Sequence, residues 1–200
     1  VDLNLGRIGI AICEDFWRGF DADAAPQYDE NPIQPLIDAD CKLIVSPSAS
    51  PFVAKKRNRH LAHAMQVAKE HDCKVVVVNQ VGGNDDLIFD GGSFVCTPEG
   101  LTYEAPLFEE SVAVELETLR SIPVKNIDEA RFEALVLGVH DYCKKTGHSQ
   151  VLLGLSGGID SALVASIAVA ALGADAVTGV LMPSRYSSLG SIEDAEALVQ

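Results

Sequence analysis

Basic residues are scarce in this chain: 15 Lys and Arg stand against 29 Asp and Glu, a formal net charge of −14 over 200 residues. That balance argues against nucleic acid or an anionic membrane as partner, and it leaves room for a local phosphate site. Long apolar runs are also missing. The longest, Ala162 to Leu172, contains Ser166 and falls far below the roughly 20 residues a membrane span needs. The five cysteines show neither metal-ligand spacing nor a disulfide framework, so a reducing compartment, the cytoplasm, is expected. No signal-peptide pattern, internal repeat or low-complexity tract is visible. The acids Asp85, Asp86 and Asp90 lack the spacing of a calcium loop. What is present is an apolar fraction of 48%, ample for a core, at a length suited to one or two domains.

The chain is organised around Val151 to Ala174, VLLGLSGGIDSALVASIAVAALGA. A short apolar run predicts a buried parallel strand, and the Ala-rich run after the turn predicts a helix. A strand, a Gly-rich turn and a helix collect unpaired backbone N–H groups at the positive end of a helix dipole, which suits an anion. Gly157 and Gly158 allow close backbone approach, and Ser156 and Ser161 add hydroxyl donors. A bare phosphate would be repelled by Asp160, whereas a magnesium ion bridging carboxylate and phosphate would use it. No Lys follows the second Gly, so the turn is not a Walker A loop.

Upstream, RIGIAIC (Arg7 to Cys13) predicts a strand that delivers a thiol to its C-terminal end, a common place for nucleophiles in α/β folds. The N–H of Glu14 is placed to face a developing oxyanion there. Further strands are expected at Cys41 to Ser46, Lys74 to Asn79 (fully buried), Ser93 to Thr97, Val112 to Leu116 and Ala176 to Met182. Helices are expected at Ile33 to Ala39 and Arg57 to His71. A third, capped by Asp128 and ended by Gly147, carries an apolar stripe of Phe132, Leu135, Val139 and Tyr142. His60 and His63 read as an exposed polar face. The last helix is expected to be capped at Ser191, in the pattern Ser-Ile-Glu-Asp194. The strand-like opening at Val1 and the mid-helix close at Gln200 suggest an internal piece of a longer protein.

Five motifs carry a resemblance. SGGIDS resembles the PP-loop of the ATP pyrophosphatases, and GRIGIAICEDFW resembles the nucleophile strand of the nitrilase superfamily in its glutaminase form. SPFVAKKR looks like the substrate loop of that glutaminase. QVGGNDDLIFDGGS and MPSRYSS are similar to segments of the glutamine-dependent NAD+ synthetases, Asn84 and Asp86 departing conservatively from the family pattern. The resemblance implies an α/β chain. Residues 1–122 would form the C-terminal part of a nitrilase-type αββα sandwich. Residues 123–200 would start a Rossmann-like doubly wound parallel-sheet domain. It implies Cys13 as nucleophile, its Glu and Lys partners falling before Val1, with Glu14, Phe16, Ser50 and Lys56 at glutamine. It implies Gly154, Leu155, Ser156, Gly157, Gly158, Ile159, Asp160, Ser161 and Met182 at ATP, with Asp160 also on Mg2+. Arg185, Tyr186 and Ser187 would lie near deamido-NAD+. The implied reaction is ATP-dependent amidation of deamido-NAD+ with ammonia from glutamine, in a homo-oligomeric protein. Two rivals remain: another PP-loop amidotransferase, or an ATP-binding module that turns nothing over.

Overall fold

A computed structural model describes residues 2–3, 6–17, 30–113, 126–185 and 188–199. It divides into two compact units. One takes in residues 1–82 and 87–129, the other residues 83–86 and 130–200. The expected boundary near 121–126 lies almost wholly outside the described residues.

The first unit is built on a mixed six-stranded sheet of order β1-β2-β3-β4-β7-β8. Its strands are β1 (Asp2–Leu3), β2 (Gly6–Ile10), β3 (Leu43–Ser48), β4 (Lys74–Asn79), β7 (Phe94–Thr97) and β8 (Gly100–Glu104). β2, β3 and β4 run parallel, while β1, β7 and β8 are antiparallel to their neighbours. Between the strands come α1 (Glu14–Trp17), α2 (Gln34–Asp38) and α3 (Lys56–His71). β5 (Val81–Asn84) and β6 (Leu87–Asp90) pair as a separate two-stranded sheet. α3 covers one sheet face and builds the core there: Ala64, Val67 and Ala68 meet Ile44, Val75, Val77, Phe94 and Cys96. In β4 Val75 and Val77 are buried while Val78 is 51% exposed, so this strand is covered on one face, not both as expected. The thiol of Cys96, shut into this core, is pushed up to about 12 by desolvation.

Several sequence expectations shift. β2 stops at Ile10, short of Cys13. β3 runs on to Ser48. No strand forms at Val112, which is 95% exposed, and residues 114–116 of that expected strand lie outside the described set. β8 was not foreseen.

The second unit contains α4 (Ile127–Thr146), β9 (Val151–Leu155), α5 (Ile159–Leu172), β10 (Val177–Leu181) and α6 (Leu189–Leu198), with a 3-10 turn at Ala174–Ala176. β9 and β10 pair in parallel across the α5 crossover, from Val177 opposite Val151 to Leu181 opposite Leu155. Gly179 sits where a Cβ would fall 2.5 Å from Leu155 Cδ1, so tight side-chain packing accounts for that glycine. Residues 83–86 belong to this unit. Gly83 N–H donates to Asp141 Oδ2 at 2.8 Å, and Lys145 donates to the Gly83 carbonyl. Burial alone would raise the Asp141 carboxyl, but the Gly83 bond, His140 and Lys145 outweigh it and hold the group below its usual range. Described helices include none long and apolar enough to cross a membrane.

Both expected caps move by a few residues. The Asn126 side chain, not Asp128, accepts from the N–H groups of Asp128 and Glu129 at 2.7 and 3.0 Å. Ser188, not Ser191, caps α6, accepting from Ser191 N–H at 3.1 Å. Because the Asn126 side chain accepts from two first-turn N–H groups, Asn126→Ala is expected to cost about 1 kcal/mol in a urea unfolding curve. The apolar stripe of α4 is also displaced: Ala130, Ala134 and Cys143 are buried, whereas Leu135 and Tyr142 are 48% and 62% exposed. Gly147 ends the helix at φ 77°, as its position predicts.

Candidate functional site

The sequence-predicted residues that the structure describes fall into two groups, one in each unit.

In the first, Cys13 occupies the elbow between β2 and α1. Past the end of β2 the chain stays tied to β3, through Ala11 N–H to Val45 O at 3.1 Å and Cys13 N–H to Pro47 O at 2.9 Å. Cys13 itself adopts φ 47°, a left-handed conformation that is uncommon outside Gly, Asn and Asp. The reversal is closed by Asp15 N–H to Ile12 O and Phe16 N–H to Cys13 O, both 3.0 Å, and by Ile12 N–H to Asp15 Oδ2. The result is a half-buried thiol on a sharp strand-to-helix turn; the other four cysteines are buried. Glu14 is exposed, whereas the Phe16 side chain is 0% exposed and lies in the core.

Ser50 and Lys56, predicted as a pair, share the lining of one buried polar cavity with Trp17, His60, Asn79 and Asp90. Asn79 is its hub. Its amide oxygen accepts Ser50 N–H at 2.9 Å, and its amide nitrogen donates to Ser50 O and to Asp90 Oδ1 at 3.2 and 3.1 Å. Lys56 donates to the Pro51 carbonyl, and Arg57 pairs with Glu104. Desolvation raises the Asp90 carboxyl despite the pull of Lys56, Arg57 and His60. The cavity measures about 20 Å³, room for a single water. Sequence reasoning missed Asn79, which ends the parallel neighbour of the strand leading to Ser50. C-terminal ends of adjacent parallel strands are where such groups converge. It also misread both histidines. His60 is 6% exposed and stacks on Trp17, and His63 bonds the Phe16 carbonyl.

In the second constellation, Ser156 to Ser161 joins β9 to α5. Gly157 has φ 76°, and Gly158 is the extended N-cap residue. The two serine hydroxyls lie 3.1 Å apart. Ser156 Oγ accepts Gly158 N–H, and Ser161 Oγ accepts Ser156 N–H and donates to Gly158 O. The turn is thus braced from within at the start of a 14-residue helix. Asp160 is exposed in the first turn of that helix, where the dipole favours a carboxylate. Among the described residues no group of three His, Cys, Asp or Glu is placed to hold a metal. Met182, just beyond β10, reaches Gly154: its Cε lies 3.2 Å from where a Cβ on Gly154 would stand. Leu155 is 6% exposed and packs at Gly179, so its side chain is core. Ile159 is 81% exposed and Arg185 is exposed; Tyr186 and Ser187 lie outside the described residues. An apolar hollow of about 550 Å³ in this unit, walled by Leu153, Val169, Val177 and Leu198, includes none of residues 156–161.

The chain as a whole is similar to known proteins. A family model described as NAD synthase matches residues 131–200. The chain is 46% identical, over 97% of its length, to the glutamine-dependent NAD(+) synthetase of Synechocystis, of which it covers 37%. It is 41% identical to the enzyme of that name from Rhodobacter capsulatus, over 99% of this chain and 36% of that one. The solved glutamine-dependent NAD+ synthetase of Acinetobacter baumannii, in complex with ADP, superposes with a TM-score of 0.83 at 35% identity. The match covers 94% of this chain and 36% of that one. The chain therefore spans a little over a third of the length of the relatives it matches.

Proposed function

We propose that this chain, a relative of the glutamine-dependent NAD(+) synthetases, supplies parts of both catalytic centres of such an enzyme. In this reading residues 1–122 are the later part of a nitrilase-type αββα glutaminase domain, and residues 123–200 open a Rossmann-like PP-loop domain. One observation carries it: a single chain presents first a thiol on a strand-to-helix elbow, then an internally braced Gly turn at a helix N-terminus.

Each constellation suits one half of the chemistry. The Cys13 thiolate attacks the side-chain amide carbon of glutamine. The C–N bond breaks, ammonia leaves, and the glutamyl thioester is hydrolysed to glutamate. Ser50 and Lys56 hold the amino acid, the ammonium of Lys56 offering a point charge to the α-carboxylate, and Asn79 fixes Ser50. In the second unit, the backbone of Ser156 to Ser161 receives the β and γ phosphates of ATP. Gly154 and Met182 form a surface for the adenine, and the Arg185 segment faces deamido-NAD+. The carboxylate of deamido-NAD+ attacks the α-phosphorus, pyrophosphate leaves, and ammonia then displaces AMP from the acyl adenylate to give NAD+. The exposed Asp160 carboxylate is the group that would hold a Mg2+ ion. Such an ion would supply charge neutralisation for the leaving pyrophosphate. Cytoplasmic location and homo-oligomerisation complete the reading.

The test is Asp160→Ala in the intact protein, assayed with ATP, Mg2+ and deamido-NAD+. NAD+ formation is expected to fall at least about 100-fold with glutamine and with ammonium chloride alike, because the loss precedes the entry of nitrogen. Unchanged amidation with either donor overturns the nucleotide assignment.

A further inference from the structure

We infer that His60 and His63 of α3 are positioning residues for the Cys13 thiol, holding the elbow that presents it. The inference rests on the proposed glutamine-hydrolysing role of Cys13.

The argument begins with what the elbow cannot do for itself. A cysteine at φ 47° stores strain of about 1–3 kcal/mol, and such a conformation persists only where its surroundings over-determine it. The element that follows, α1, has four residues, too few to repay helix nucleation or to satisfy its own last carbonyls. It must be gripped from outside. Its two terminal residues, Phe16 and Trp17, are 0% and 1% exposed.

α3 makes the grip. His63 Nε2 lies 3.0 Å from the Phe16 carbonyl oxygen. A carbonyl only accepts, so Nε2 carries the proton and supplies the donor that α1 lacks. The His63 ring also meets the Phe16 ring edge-on, with centroids 5.2 Å apart at 64°. His60, 6% exposed, lies flat on Trp17 with centroids 3.6 Å apart and planes 9° apart. Residues three apart share a helix face, so one stripe of α3 holds both aromatic anchors of α1. The same helix begins at Lys56, beside Ser50 in the polar cavity. One rigid helix thereby sets the thiol turn and the cation proposed for glutamine in a common frame. A displacement of about 1 Å at such a site costs on the order of 100-fold in rate.

The experiment uses the intact protein and follows glutamine hydrolysis, ammonia-driven NAD+ formation and thermal unfolding. His63→Gln keeps an N–H donor near the position of Nε2, whereas His63→Leu keeps volume without a donor. The expected result is a kcat for glutamine hydrolysis lowered about 100-fold in His63→Leu. KM is little changed, ammonia-driven synthesis is intact, and most of the kcat returns in His63→Gln. Equal kcat in the two variants overturns the inference, because a merely packed histidine would not distinguish them. If His63→Leu does not fold, His63→Met, unbranched and without a donor, takes its place, and equal kcat in it and in His63→Gln also overturns the inference. Cys13→Ala runs alongside: if it still hydrolyses glutamine, the underlying reading fails rather than the role of the histidines.

Discussion

Replacing Gly157 with alanine is expected to disable the turn between β9 and α5 more severely than any other single methyl group added to it. Two independent costs fall on one position. At φ 76° an L-residue pays about 1–2 kcal/mol that glycine does not. An ideal Cβ would also stand 2.0 Å from the carbonyl oxygen of Ser191, in the first turn of α6, and 2.7 Å from its carbonyl carbon and Cα. Those are main-chain atoms, so no rotamer change relieves the overlap; either α6 retreats or the turn does. The neighbour offers a contrast. A Cβ on Gly158 meets only Ser156 Oγ at 3.3 Å, which a hydroxyl rotation accommodates. Gly157→Ala should therefore weaken ATP binding by the intact protein at least tenfold, about 1.4 kcal/mol, in a calorimetric titration. Gly158→Ala should weaken it less. Equal affinity for the two variants would mean that the approach of Ser191 plays no part in shaping the turn. The glycine expected from sequence to admit a phosphate thus also admits a helix.

That double duty shows which parts of the molecule its sequence reveals. A strand, a Gly turn and a helix follow one another within some twenty residues, so VLLGLSGGIDS announces its geometry locally, and β9, the turn and α5 form where expected. Ser50 and Lys56, six residues apart and linked only through resemblance to a substrate loop, line one cavity. His60 and His63 are different. On an amphipathic helix a polar residue reads as a solvated face, and only the arrival of Phe16 and Trp17, more than forty positions earlier, turns that face inward. In α4 the spacing of Phe132, Leu135, Val139 and Tyr142 is regular, yet the helix buries Ala130 and Ala134. Close to them the Gly83 backbone comes so near that its Cβ would stand 3.2 Å from Gly138 Cα. Where main chain meets main chain, small residues are buried and large ones are turned away. β8 escapes notice because its five residues are all half-buried, leaving no alternation to read.

The largest expected effect belongs to Cys13, where two substitutions separate chemistry from architecture. Cys13→Ala removes the sulfur and keeps everything that shapes the elbow. The N–H to Pro47 O and the carbonyl that accepts from Phe16 N–H are main-chain groups, and alanine meets the same conformational cost at φ 47° that cysteine already bears. The fold should hold, while glutamine-dependent NAD+ formation falls at least about 1,000-fold, since no covalent intermediate can form. Ammonia-driven formation should stay at its parent rate. Cys13→Gly sharpens the point. Glycine takes a positive φ freely, so this variant should lose the same activity yet match or exceed the parent in a urea titration. The gain is at most about 1 kcal/mol, because freeing the unfolded chain offsets part of the relieved strain. A dead variant at least as stable as the parent would locate the strain at Cys13 in the service of catalysis. A Cys13→Ala protein that retained glutamine-dependent synthesis would remove the thiol from the mechanism and leave the elbow a purely structural bend.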